Sequence, residues 1–190
     1  MEWKLLTKDD YKTTSWSGGT TTQLAIAPEG AVYADRDFLW RLSSATVELE
    51  HSNFTPLPDY DRFLAVLEGE IRLQVGDQEP TSLIPGQVCA FDGGVPVESW
   101  GQCVDFNLMV RKGKGQGSVT ILSSTHTQDR YWLPYKGDLA IYCVSGVVRL
   151  PESGLEAKTG QLLLCRDAQG EQLHIVNEAG TAMLVCVREV

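Results

Sequence analysis

The residues of this chain with the most chemical reach are cations and amides placed on strands. In Trp40-Arg-Leu-Ser-Ser-Ala-Thr46, the two-residue period of a strand puts Arg41, Ser43 and Ala45 on one face, opposite Trp40, Leu42 and Ser44. In Val104–Arg111 the same period sets Asp105, Asn107, Met109 and Arg111 against Val104, Phe106, Leu108 and Val110. A polar strand face has two readings. It is either wet, with rim ion pairs, or it lines the interior of a small barrel that encloses a ligand. If Arg41, Arg62, Asp105 and Asn107 converge in such an interior, two guanidiniums can grip a carboxylate through paired hydrogen bonds. Asp105 would then orient an arginine or accept from an amide N–H. Asn107, both donor and acceptor, suits an amide or formyl group, and Ser43 shares the face of Arg41. Arg41 serves equally as a structural ion-pair partner. Arg62 follows the turn Pro58-Asp-Tyr-Asp61, so a staple to Asp59 or Asp61 is its rival role.

Further polar contacts are weaker. Trp16 offers a flat ring for stacking, and with Gly19 and Thr20 it would close the mouth of the cavity, while Gln23 supplies an amide. Ser17-Gly18-Gly19 could present backbone N–H groups to an anion, although a Gly-Gly pair is more often a hairpin. Asp92, before Gly93-Gly94, reads first as a turn former and second as an acid or base. Three histidines, His51, His126 and His174, are widely separated and none lies in His-x-His, whereas first-row metals want several imidazoles or a His/carboxylate set. No metal and no other cofactor is expected. No Gly-x-Ser-x-Gly elbow is present, and the cysteines lie in apolar runs where thiols are unreactive.

The elements that must position these side chains are strands. Short runs rich in Val, Ile, Leu, Phe, Trp and Thr recur between Gly, Pro and Asp clusters, which predicts a sandwich or barrel. A short helix near Lys8–Thr13 is weakly signalled. An internal repeat organises the strands. Phe63-Leu-Ala-Val-Leu-Glu-Gly-Glu-Ile-Arg-Leu73 and Ser82-Leu-Ile-Pro-Gly-Gln-Val-Cys-Ala-Phe-Asp92 have counterparts in Leu139–Leu150 and Leu155–Asp167. Gly69 and Gly146 are read as hairpin glycines, and Gly86 and Gly160 as turns into the next strand. The two halves are residues 1–117 and 118–190. The second is short of strands, so the N-terminal segment Glu2–Pro28 is expected to cross over and complete it, covering an edge that would otherwise invite aggregation.

Leu67-Glu-Gly-Glu followed by Ile84-Pro-Gly-Gln and an apolar strand resembles the cupin signature. A finer resemblance is to the HutD/Ves family. It is carried by Trp16-Ser-Gly-Gly-Thr-Thr-Thr-Gln23, Phe38-Leu-Trp-Arg-Leu-Ser43, Phe54-Thr-Pro-Leu-Pro-Asp-Tyr-Asp-Arg62, Phe91-Asp-Gly-Gly94 and Asp105-Phe-Asn-Leu-Met-Val-Arg111. The resemblance implies an all-β bicupin, two jelly-roll (double-stranded β-helix) barrels in one chain, and an association with histidine utilisation. It also suggests a ligand, an intermediate of histidine breakdown such as formylglutamate.

Composition narrows the partners. Twenty-five acidic residues against 16 basic ones give a net charge of −9, with no cationic footprint for nucleic acid or for an anionic membrane surface. No apolar run approaches the length of a membrane helix, and Met1-Glu-Trp-Lys-Leu-Leu has no signal-peptide core, so no leader is expected. Five cysteines, an odd number with no Cys-x-x-Cys pair, fit buried free thiols in a reducing cytoplasm. The expected function is metal-independent binding of a small carboxylate metabolite, sensing or moderating amino-acid catabolism. The alternative is a metal-free isomerase or hydrolase with Asp105 or Asp92 as base. The sequence leaves a homodimer open.

Overall fold

Period-two runs bounded by turn residues become strands along the whole chain in the computed structural model, which describes residues 2–123, 129–133, 136–169 and 171–190. In chain order these are β1 (Trp3–Leu6), β2 (Lys12–Trp16), β3 (Gly19–Ala27), β4 (Trp40–Val47), β5 (His51–Asn53) and β6 (Tyr60–Gly69). There follow β7 (Ile71–Val75), β8 (Thr81–Leu83), β9 (Val88–Asp92), β10 (Val97–Trp100), β11 (Cys103–Arg111) and β12 (Gly115–Ser123). The last are β13 (Asp129–Leu133), β14 (Gly137–Leu150), β15 (Leu155–Lys158), β16 (Leu162–Ala168) and β17 (Glu171–Glu189). Helix among the described residues is one 3₁₀ turn, Tyr33–Asp35. None is long and apolar enough to cross a membrane.

The chain forms two compact units. One is Tyr11–Gly115; the other joins Met1–Asp10 to Gln116–Val190. In the first, β2-β3-β4-β11-β6-β9 make a six-stranded sheet and β5-β10-β7-β8 a four-stranded one. In the second, the path is β1-β16-β14-β17-β12, with β13 on β17 and β15 on β14. The orders are copies of one another. The series β4-β11-β6-β9 is matched by β12-β17-β14-β16, and β5-β10-β7-β8 by β13-β17-β14-β15. This is an all-β fold that uses one strand order twice.

The N-terminal segment divides between the units. Strand β1 runs antiparallel to β16, from Trp3 opposite Cys165 to Leu6 opposite Leu162, and covers that edge. By contrast β2 and β3 extend the first unit's sheet through β4, so the expectation for Glu2–Pro28 is corrected beyond residue 10. The short helix near Lys8–Thr13 is absent as well. Asp10 closes a turn on Thr7, its carboxylate taking the Thr7 N–H at 2.9 Å, and β2 starts at once. Thr13, Thr14 and Trp16 favour that exposed edge strand over a helix.

The two interiors differ. In the second unit Leu139, Ile141, Val148, Leu163, Ile175 and Leu184 belong to one continuous apolar core. In the first, an apolar cluster that includes Leu64, Val66, Ile71, Leu73, Leu83 and Val97 leaves part of the six-stranded sheet to buried polar side chains. The five cysteines form no disulfide, and three of them are buried.

Candidate functional site

Register places the polar side chains. Met109 on β11 lies opposite Arg41 on β4 and Arg62 on β6, and Arg62 lies opposite Phe91 on β9. Directly paired residues share a face, so these four form one row across the sheet. With strands ~4.8 Å apart, the two arginine backbones are about 10 Å from each other. The next rows on the same face are Ser43–Asn107–Leu64 and Ala45–Asp105–Val66. Leu64, Val66 and Phe91 pack into the cluster shared with the four-stranded sheet, so this face is the interior. Two irregularities tune it. A bulge between Gln23 and Ala25 puts Gln23 opposite Ser43 and Ile26 opposite Arg41, turning both inward, and another precedes Asp105.

The polar side chains are buried, not wet. Arg41, Ser43, Arg62, Asp105 and Asn107 retain only 4–7% exposure. Arg41 Nε donates to Gln23 Oε1 at 2.8 Å and a terminal nitrogen to Ser43 Oγ at 3.2 Å. Asp105 Oδ1 accepts the Ala45 N–H at 3.0 Å, and among the described residues it forms no ion pair with either arginine. Arg62 is not the staple for Asp59 or Asp61. Its guanidinium carbon stands 5.0 Å from the Phe54 ring and 5.4 Å from Phe91, and its buried Nε has no hydrogen-bond partner. Asn107 Oδ1 is also buried and unpaired. Unmet buried donors and acceptors of this kind are costly, about 1–3 kcal/mol each, and ask for a partner.

Desolvation sets the electrostatics. Burial lowers the Arg62 pKa to about 10 and lowers that of Arg41. Burial likewise pushes the Asp105 carboxyl up to about 7, although the Ala45 N–H and both guanidiniums pull it down. The interior therefore carries cations short of counter-charge beside a carboxyl able to hold a proton near neutrality. That combination can accept an anion and donate to or receive from a neutral polar group.

Other expected site residues lie elsewhere. Trp16 and Gly19 pair at the β2–β3 hairpin, and Gly19 faces Val47, six residues and about 20 Å along β4 from Arg41. Thr20 pairs with Thr46, on the opposite face from Asp105. Trp16 is 42% exposed, and its ring covers the Cα of Gly18. None of the three closes the arginine site. Asp92 is on the face opposite Phe91, exposed; it accepts the Gly94 N–H at 2.7 Å and Lys112 Nζ at 2.6 Å, which hold its pKa down. It is a turn staple, unsuited to act as a base. Arg111 ties Arg36 O at 3.1 Å and so anchors a loop.

Sequence reasoning missed Tyr33, Arg36, Phe54 and Phe91. Arg36 and Arg41 stack on the Tyr33 ring, with guanidinium carbons 3.9 and 4.3 Å from its centroid. Phe54 and Phe91 meet edge-on beside Arg62, ring centroids 6.3 Å apart. The available signal was the pairing of aromatics with arginines around this sheet, which period-two counting within one strand does not reveal.

The HutD family model matches residues 8–184. The chain belongs to the HutD family. Protein Ves of Cronobacter sakazakii is 30% identical over 147 residues, 75% of each chain. HutD from Pseudomonas fluorescens, solved in a formate condition, superposes with a TM-score of 0.84 at 21% identity over the full length of both chains. A conserved protein of unknown function from Pseudomonas aeruginosa gives 0.82 at 26% identity, covering 99% and 98%. The bacterial pirin YhhW of Escherichia coli, in complex with nickel(II), shares the fold with a TM-score of 0.71 at 11% identity over both full chains. The described residues of this HutD-family chain do not fit such an ion. Among the described residues, no three His, Cys, Asp or Glu side chains come together to hold a metal. His51 pairs with Glu98 at 2.8 Å and stacks on Trp100, and His174 pairs with Glu152 at 3.1 Å. His126 lies outside the described residues.

Proposed function

We propose that the interior of the Tyr11–Gly115 unit binds a small carboxylate metabolite without a metal, and that the protein senses or moderates an amino-acid catabolic pathway in the cytoplasm. One observation carries the reading: Arg62 is buried beside Arg41 with its Nε unpaired and no carboxylate bonded to it. A carboxylate would supply the missing acceptor for that fork. Asn107 would then meet an amide or formyl group, which makes N-formyl-L-glutamate the first candidate. HutD family membership supports placing that ligand in histidine utilisation. The test is thermal unfolding with N-formyl-L-glutamate. At about 100 times its dissociation constant the ligand stabilises by roughly 2.7 kcal/mol. Arg41→Ala should lose this shift while staying folded; no shift in the native protein with any small carboxylate refutes the reading.

A second reading has its own observation. The Asp105 carboxyl, raised to about 7, is poised for general-base work at neutral pH. Turnover of a bound candidate, abolished by Asp105→Asn with binding retained, would establish an isomerase or hydrolase in place of a sensor. Asp92, exposed and already hydrogen-bonded, has no part in it.

A further inference from the structure

The chain between β3 and β4 carries the 3₁₀ turn Tyr33–Asp35 and ends it with Arg36. This turn lies over the arginine row. The Tyr33 ring packs against the cluster formed by Ile26, Phe38, Leu57, Tyr60 and Met109, and Met109 is the residue between Arg41 and Arg62. Arg36 sits at φ 56, ψ 32, a left-handed conformation that side-chain-bearing residues seldom hold without support. The support is backbone: its N–H donates to Tyr33 O at 3.4 Å and its carbonyl accepts from Arg111 at 3.1 Å. Nothing comparable holds its guanidinium, which stacks on Tyr33 and keeps a buried terminal nitrogen unpaired. Arg36 and Arg41 repel each other across one ring, and the carboxyl that acts on Arg41 and Arg62 is Asp105. Arg41 and Arg62 thus share one desolvated carboxyl, and Arg36, stacked on the ring that also carries Arg41, adds a third cation, an excess that a single monoanion does not balance.

We propose that the Tyr33–Asp35 turn with Arg36 is a recognition arm of the site, Arg36 supplying a third guanidinium and Tyr33 its stacking platform. The site is thereby selective for a dianion over a monoanion of the same shape. This rests on the carboxylate-binding reading above. One anionic group meets Arg41 and Arg62; the second meets Arg36.

Calorimetric titration of the full chain with N-formyl-L-glutamate and N-formyl-L-norvaline tests it, because the second compound replaces the distal carboxylate by a methyl. The native protein should bind the dianion at least about tenfold more tightly, the size expected for one charge-assisted contact. Arg36→Gln should erase most of that preference, weakening the dianion about tenfold and the monoanion less than about twofold. Arg36→Lys should restore part of it. Because the Arg36 guanidinium makes no hydrogen bond among the described residues, Arg36→Gln should unfold at the native temperature without ligand. Equal affinities in the native protein, or a preference unchanged by Arg36→Gln, would overturn the recognition arm while leaving carboxylate binding intact. If neither compound binds the native protein, the recognition arm falls together with N-formyl-L-glutamate as the ligand.

Discussion

Arg62 and Asp105 are where stability and binding pull apart. A guanidinium with an unpaired Nε in the interior costs free energy in the unliganded protein. Arg62→Met should therefore raise the unfolding temperature of the free protein by a few degrees, reflecting about 1–2 kcal/mol, and abolish carboxylate binding. A variant less stable than the native chain would make Arg62 a structural residue. Asp105 gives a pH signature. Its carboxyl shifts from the usual 3.8 to about 7 in the native state. Between those values the folded protein keeps a proton that the unfolded chain has released, so this group's stabilisation is complete below about pH 4 and lost by pH 7. Asp105→Asn removes that loss. It should exceed the native protein in stability at pH 8, by an amount on the order of 2–4 kcal/mol, with the gap closing toward pH 4. Urea unfolding at several pH values measures it; a gap independent of pH contradicts the assignment.

At the scale of elements, backbone geometry explains what period and repeat could and could not show. The repeat glycines do take positive φ, 83° at Gly69 and 80° at Gly146. Neither is a hairpin, however. After Gly69 the chain leaves the six-stranded sheet for the four-stranded one, and Gly146 sits inside β14, where the register shifts. Gly69 marks a change of sheet, and Gly146 the point at which β14 exchanges β16 for β15 as its partner. The alternation of Arg41 with Ser43 and of Asp105 with Asn107 was legible because those stretches are regular. The inward turn of Gln23 and Ile26 needed the bulge, which a single strand's pattern does not disclose. Gly19 was read as a site residue from its Gly-Gly context. A Cβ there would stand 1.8 Å from Thr46 O, at φ 144°, so close approach of β3 to β4 is what requires glycine. Gly19→Ala should cost about 3 kcal/mol or more while ligand affinity of the folded fraction is unchanged. A loss of affinity at unchanged stability would return Gly19 to the site.

Across the whole molecule, one topology is used twice with different interiors. Strands 4-11-6-9 and 12-17-14-16 repeat the same order, yet one half buries Arg41, Arg62, Asp105 and Asn107, whereas the other buries Leu139, Ile141, Leu163 and Leu184 beside the amide of Asn177. The strand content, the repeat and the absence of a His-x-His motif could all be read along the chain. The burial of both faces of β4 and β11, and the meeting of Tyr33 and Arg36 with Arg41, are products of long-range pairing, invisible to local periodicity. The division of the N-terminal segment between β16 and β4 is equally non-local. The expected consequence is that only the Tyr11–Gly115 unit binds ligand. A crystal structure of the full chain with N-formyl-L-glutamate tests this most directly. It should show a ligand carboxylate hydrogen-bonded to the Arg62 guanidinium within that unit. A ligand seated in the other unit, or an arginine row left without one at saturating concentration, would contradict it.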